Sequence, residues 1–250
     1  VKTERILGLD FATVSCSDIT DEAMKGRLVI APSAPVLVGM AHDPVLRDAV
    51  TKADVVLPDS GLMVLLWKAM GHFKLRRVSG LAFLREFIRK LSICQANLVM
   101  WVLPNEKSLQ RTLKWFHKVE MPYGEHDCYI APAYSKAKGM IEDPALLERI
   151  REQKPHYVVI CVGGLVQEEL AAWLKPQVPP GTAIFCTGAA LAFLTGDQGP
   201  IPPIADRLLI GWLLRCIADP VRFIPRYIAA ARLIPVLLIN RRNLPRLRGE

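Results

Sequence analysis

Apolar residues fall along this chain in two alternating rhythms. Short continuous apolar runs at 29–30, 55–57, 97–103, 128–130, 157–162 and 183–186 have the length and β-branched content of strands. Between them, apolar residues recur at helical spacing over 44–52, 61–70, 81–91, 107–118, 144–152 and 167–174. Asp43 before Pro44 reads as the N-cap of the first of these helices. The strand runs show no polar alternation, so both of their faces are expected to be covered. Repeated strand–helix alternation therefore predicts an α/β, Rossmann-like, mostly parallel sheet with helices on both faces. In such folds ligands bind beyond the carboxyl ends of the strands.

That rule directs attention to three segments. The first is the turn Ala31-Pro32-Ser33. The second is Ala53-Asp54-Val55-Val56-Leu57-Pro58-Asp59-Ser60-Gly61, in which Asp59 leaves a buried strand at the loop edge. A carboxylate there can face a cleft as a general base, or it can cap the helix that follows. The third is Val162-Gly163-Gly164-Leu165-Val166-Gln167-Glu168, where two glycines after a strand let a ligand approach the backbone and Gln167 can hydrogen-bond a sugar. Arg76-Arg77-Val78-Ser79-Gly80, just before a helix, offers guanidinium and free N–H donors suited to phosphate, or forms a solvated basic loop.

The pattern changes near residue 197. Pro200, Pro202 and Pro203 read as a linker, followed by apolar helices studded with arginine. The expected organisation is a core over 1–196 and a helical, arginine-rich C-terminal appendage over 197–250. Charge sharpens this division. The chain of 250 residues carries +8, but 207–250 alone holds nine arginines, no lysine and two acids, a net +7. Arg215, Arg222 and Arg226 are spaced for one helix face, with Trp212, Phe223 and Tyr227 between them, a pattern that suits an anionic membrane surface. The remainder is nearly neutral and contains no nucleic-acid module, so nucleic acid is not an expected partner.

Composition excludes several classes. With 51% hydrophobic and 22% charged residues the chain has enough apolar material for a sizeable core and is not a disordered type. No apolar run approaches the roughly 18 residues of a membrane span. The charged N-terminus lacks a secretion signal, so a cytoplasmic protein is expected. The six cysteines form no CxxC pair and the five histidines no HExxH, so no metal site is expected and the thiols read as buried and reduced. Neither a GxGxxG nor a Walker lysine motif is present, so no cofactor is expected.

Taken in order, these segments resemble the WecG/TagA/CpsF family of bacterial glycosyltransferases. Residues 53–60 match the family's "ADLVLPDG". Arg77-Val78-Ser79-Gly80 matches "RVTG". Residues 162–168 match "VGLGAPKQE" with a shorter turn, and 188–196 match "GAAFDFLAG". Trp212-Leu213-Leu214-Arg215, Asp219-Pro220, Arg222 and Arg226-Tyr227 match the C-terminal "EWLYRL…EP.R…RRY". The resemblance runs from about Ile6 to Tyr227. It implies inverting transfer of an N-acetylmannosamine-type sugar from UDP to a polyprenyl-diphosphate-linked N-acetylglucosamine in cell-surface polysaccharide synthesis. It implies Asp59 as general base, Arg77 on the departing diphosphate, and substrate contacts at Ser33, Ser60, Gly61, Gly163, Gly164, Gln167 and Glu168. It further implies Arg215, Arg222 and Arg226 at the membrane or diphosphate, a peripheral location on the inner membrane face, and self-association. With no DxD motif, arginine and not a divalent ion would neutralise the diphosphate.

The chain departs from the family on its ligand-facing loops. Ala31 and Ser33 stand where the family has Thr-x-Asn, Ala82 replaces an aspartate, Gly211 a glutamate, and the glycine of "PDG" has moved to Gly61. These changes predict a donor other than the family's usual sugar. They also leave open a second function, a catalytically silent partner that binds sugar nucleotide or lipid.

Overall fold

The computed structural model describes residues 2–91, 99–135, 141–197, 225 and 228–247. Eight strands form one sheet in the order β1-β2-β4-β3-β8-β7-β5-β6. They are β1 (Thr3–Ile6), β2 (Leu9–Ala12), β3 (Leu28–Ile30), β4 (Val55–Val56), β5 (Val99–Leu103), β6 (Cys128–Ile130), β7 (Tyr157–Ile160) and β8 (Ala183–Cys186). β1 pairs antiparallel with β2 at one edge, and every other pairing is parallel. The expected α/β, mostly parallel sheet is therefore present.

The helices are α1 (Cys16–Ala23), α2 (Ala34–Gly39), α3 (Pro44–Thr51), α4 (Gly61–Ala69), α5 (Gly80–Leu91), α6 (Glu106–Lys118), α7 (Pro144–Gln153), α8 (Val166–Leu174), α9 (Ala190–Leu194) and α10 (Leu233–Asn240). Asp43 caps α3 as expected, accepting from the Leu46 N–H at 3.0 Å.

Strand residues alternate between two cores because successive side chains leave a strand on opposite faces. Leu28, Ile30, Met100, Val102, Val158, Ile160, Ile184 and Cys186 pack on one side with α2, α3, α4, α7, α8 and α10. Val29, Val99, Trp101, Val159 and Phe185 pack on the other with α1, α5, α6 and α9. Coverage of both faces explains why the strands read as unbroken apolar runs.

The β1–β2 hairpin, α1, α2 and α9 were not anticipated. The β1–β2 hairpin turns on Leu7 and Gly8, both at positive φ, as a two-residue primed turn requires. Leu7 and Gly8 donate to the carbonyls of Arg241 (2.7 Å) and Arg242 (2.9 Å), so the hairpin is tied to the end of the chain. α1 starts at Ser15, whose hydroxyl accepts from the Asp18 N–H. α2 is only six residues long. At the C-terminal side, α10 inserts Leu233 and Leu237, both fully buried, into the core beside α2 and α4. Arg215, Arg222, Arg226 and the Pro200–Pro203 linker lie outside the described residues.

Candidate active site

β3, β8 and β7 form the middle of the sheet, and the chain leaves their carboxyl ends toward different helices. A cleft of about 750 Å³ lies along these ends and those of β4 and β5. Four strand spacings of about 4.8 Å make its floor roughly 19 Å long. Its volume falls in the range of small-molecule sites. It is lined by Ala31 and Ser33 after β3, Asp59 after β4, Leu103 at the end of β5 with Pro104 and Asn105 after it, Cys161 to Gly164 after β7, and Thr187 and Gly188 after β8.

Asp59 is placed by two loops. After β4 the chain turns tightly, with the Asp59 N–H on the Leu57 carbonyl at 2.8 Å. Ser60, not Asp59, caps α4, accepting from the Met63 N–H at 3.3 Å. The Asp59 carboxylate instead crosses to α5. Its Oδ1 accepts from the Gly80 N–H at 3.1 Å, at the positive end of that helix. Arg77 closes the arrangement: its Nε donates to the Asp59 carbonyl at 2.7 Å, and its Nη2 lies 3.8 Å from Oδ1. Both side chains are about a quarter exposed, open to the cleft but held from behind. The Val78 N–H on the Pro58 carbonyl joins the same two loops.

Gly80 is needed for this closeness. A Cβ there would meet the Thr187 carbonyl oxygen at 2.9 Å, so only glycine lets α5 approach the end of β8. Ser79 caps α5 through the Ala82 N–H.

The β7 wall differs. Among the described residues, a Cβ on Gly163 would meet no atom beyond its chain neighbours within 4 Å, and one on Gly164 would touch Val36 and Ser33 at 3.6 and 3.9 Å. These glycines leave backbone open to the cleft. Gln167 lines the cleft but is almost wholly buried. Its Oε1 accepts from the Gly188 N–H at 2.9 Å and its Nε2 donates to Glu168 Oε1 at 3.0 Å. Each amide group keeps one further hydrogen-bonding position.

A sequence profile described as "Glycosyl transferase WecG/TagA/CpsF family" matches residues 4–247, nearly the whole chain. The chain belongs to this glycosyltransferase family. No curated protein matches it.

Of the residues expected at the transferase site, Ser33, Asp59, Arg77, Gly163, Gly164 and Gln167 are brought to one cleft. Ser60, Gly61 and Glu168 are not part of its lining. Ser60 is buried as the α4 cap, Gly61 is the first residue of α4, and Glu168 lies behind Gln167, 1% exposed. The reading of Asp59 as the cap of the following helix is corrected by the Ser60 bond. Sequence reasoning missed Thr187, Cys161 and Asn105. Thr187 follows β8 next to Gly80, and its hydroxyl is buried beside the Cys161 thiol. Burial pushes the neighbouring Cys161 thiol up to about 12, with contact to the Thr187 hydroxyl working the other way. Asn105 caps α6 at the far end of the cleft, accepting from the Ser108 N–H at 2.9 Å. A polar residue directly after an apolar run was the signal available for Thr187, whereas Cys161 lies inside its run and Asn105 stands past Pro104. Among the described residues no three His, Cys, Asp or Glu side chains gather as a metal site, and no helix is long and apolar enough to cross a membrane.

Proposed function

We propose that the transferase moves an N-acetylhexosamine-type sugar from a UDP-sugar to a hydroxyl of a polyprenyl-diphosphate-linked N-acetylglucosamine, with inversion, in bacterial cell-surface polysaccharide synthesis. The observation that carries this reading is the Asp59 carboxylate at the cleft edge, held by the Gly80 N–H with Arg77 beside it. Asp59 takes the proton of the acceptor hydroxyl as its oxygen bonds the anomeric carbon. The bond from that carbon to the diphosphate breaks, and its electron pair leaves with UDP. A positioned base contributes about 10²–10⁴-fold in rate. Arg77 meets the charge that develops on the diphosphate, so a divalent ion is not required. Gln167 and the open backbone of Gly163 and Gly164 receive the sugar.

The donor differs from the family's usual N-acetylmannosamine nucleotide. Supporting this, Ala31 and Ser33, which replace Thr and Asn of the family pattern, both line the cleft. The arginine-rich appendage holds the enzyme on the anionic inner face of the plasma membrane, where a lipid-linked acceptor resides.

Transfer from a panel of UDP-sugars to a lipid-diphosphate N-acetylglucosamine, with Asp59→Asn in parallel, tests the whole reading. Turnover by the wild type with a donor other than UDP-N-acetylmannosamine, abolished in the variant, is expected. Strict use of UDP-N-acetylmannosamine would refute the altered donor. UDP binding without turnover on any donor would favour a silent partner.

A further inference from the structure

Glu168 is spaced as a substrate contact, yet it is 1% exposed and sits behind the cleft wall. Its two oxygens are spent on the protein. Oε2 accepts from the Leu165 N–H at 2.7 Å and Oε1 from Gln167 Nε2 at 3.0 Å. Gln167 in turn accepts from the Gly188 N–H at 2.9 Å. A relay thus runs from the loop after β7, through one carboxylate and one amide, to the turn after β8. Leu165, at one end, has φ +76°, a left-handed backbone that a leucine rarely takes.

We propose that Glu168 is a positioning residue. It fixes the Gln167 amide in one of its two orientations and holds the cleft loop 163–165 in its strained form. A carboxylate can only accept, so it must face the amide nitrogen. The Gly188 N–H can only donate, so it must face the amide oxygen. The reversed amide would set oxygen against carboxylate and N–H against N–H. Gln167 therefore offers the cleft one defined remaining donor and one defined remaining acceptor. The Leu165 N–H bond to the same carboxylate fixes where Gly163 and Gly164 stand relative to that amide. A misplaced contact in a transferase site lowers rate steeply even when the chemistry is untouched.

The argument rests on Gln167 meeting substrate, as proposed above. The test is a double-mutant cycle on the full chain with E168Q, Q167A and the pair, reading kcat/KM for the UDP-sugar. E168Q places an N–H₂ against the Gln167 nitrogen or against the Leu165 N–H, so one bond of the relay is lost. It is expected to cost about tenfold or more, because either the amide loses its fixed orientation or the 163–165 loop loses its anchor. On the Q167A background the same change is expected to cost less than about twofold, since interacting sites are non-additive. Wild-type kcat/KM in E168Q, or fully additive losses, would overturn the proposal.

A melting measurement covers the case in which E168Q does not fold. The swap Q167E/E168Q redraws every bond of the relay. The carboxylate at 167 accepts from Gly188 and from the amide at 168, whose oxygen accepts from Leu165. Folding of the swap with a Tm above that of E168Q is expected. A swap no more stable than E168Q would sink the relay. This arm needs no activity, so it judges the relay even if the wild type transfers no sugar and the functional reading itself fails.

Discussion

The Nε of Arg77 donates to the backbone carbonyl of Asp59 at 2.7 Å, so the cation that faces the cleft also builds the loop that carries the carboxylate. Lysine carries its donors on a single nitrogen and lacks the planar fork, so it cannot hold the carbonyl and face the cleft at once. Arg77→Lys is therefore expected to lower kcat by about 10²-fold or more while the fold survives, a loss typical of one missing charge-stabilising donor. Asp59→Asn retains an oxygen for the Gly80 N–H and so should keep its Tm, yet it removes the base and should lower kcat by about 10²–10⁴-fold. Steady-state kinetics beside thermal melting separates the two effects. An Asp59→Asn enzyme with wild-type kcat would take the carboxylate out of the chemistry.

Two cleft glycines should respond in opposite ways to the same methyl group. At Gly80 the added Cβ lies 2.9 Å from the Thr187 carbonyl oxygen, a backbone atom that cannot swing aside. Gly80→Ala should cost about 1–3 kcal/mol of stability through overpacking. At Gly163 the added Cβ meets nothing among the described residues. Gly163→Ala should leave stability unchanged or raise it by about 0.4–1 kcal/mol through the unfolded chain, while the methyl group obstructs donor binding. Denaturant titration and a UDP-sugar titration give the two readouts. Undiminished affinity in Gly163→Ala would show that substrate does not approach this stretch of backbone.

The contrast between these glycines also shows what the sequence made legible. The strand runs were readable because a sheet covered on both faces needs no polar alternation, and the two cores use every residue of β5, β7 and β8. The β1–β2 hairpin was not readable. Its turn is Leu7-Gly8 and not a common Asn-Gly, and its left-handed leucine is held by the distant Arg241 carbonyl. At the site, the pattern named Asp59, Arg77 and Gln167, which line the cleft, together with Ser60, Gly61 and Glu168, which do not. A serine two residues inside a strand–helix turn and a glutamate after a glutamine read equally well as ligand contacts. Only the fold shows that Ser60 caps α4 and that Glu168 is buried behind the cleft wall. The composition shift near residue 197 likewise says nothing of where the tail returns. Leu233 and Leu237 pack against α2 and α4 because an all-apolar helix must bury one face somewhere.

Alkaline pH should loosen the protein before it ionises its cleft thiol. Burial pushes Cys161 and Cys128 up to about 12 from an ordinary value near 9, and raises Cys186 as well. Burial also raises Tyr123 and Tyr129 to about 12. A group whose pKa is higher folded than unfolded stabilises the fold fully below its unfolded pKa. That contribution drains away as pH rises toward the folded value. Unfolding free energy should hold up to about pH 8 and then fall steadily between about pH 9 and 12. Below pH 9 the Cys161 thiol should alkylate far more slowly than a free thiol, although it lines the cleft. Denaturant melts across this range, with iodoacetamide labelling of native protein at pH 8, check both. Rapid native labelling of Cys161 would contradict the burial argument.

α10 presents an unusual outer face for a helix docked on a core. Leu233 and Leu237 are buried, but Leu238 is 50% and Ile239 79% exposed, and Ile228 just before the helix is 67% exposed. Arg232, Arg241 and Arg246 are exposed in the same stretch, Arg242 is exposed but ion-paired with Glu4 at 3.0 Å, and 228–247 contains no acid. An apolar stripe with a cationic rim is what an anionic lipid surface would receive under the membrane reading proposed above. Point substitutions test this better than removal of the tail, which would also strip Leu233 and Leu237 from the core at about 2–5 kcal/mol each. Leu238→Glu with Ile239→Glu should keep the Tm and lower affinity for vesicles containing anionic lipid. Wild-type binding should weaken with salt, since each basic residue near such a surface contributes about 1 kcal/mol. Leu233→Ala serves as the opposite control, losing stability first. Vesicle binding that persists in the double variant, or that is equal on neutral lipid at high salt, would exclude this face as the docking surface.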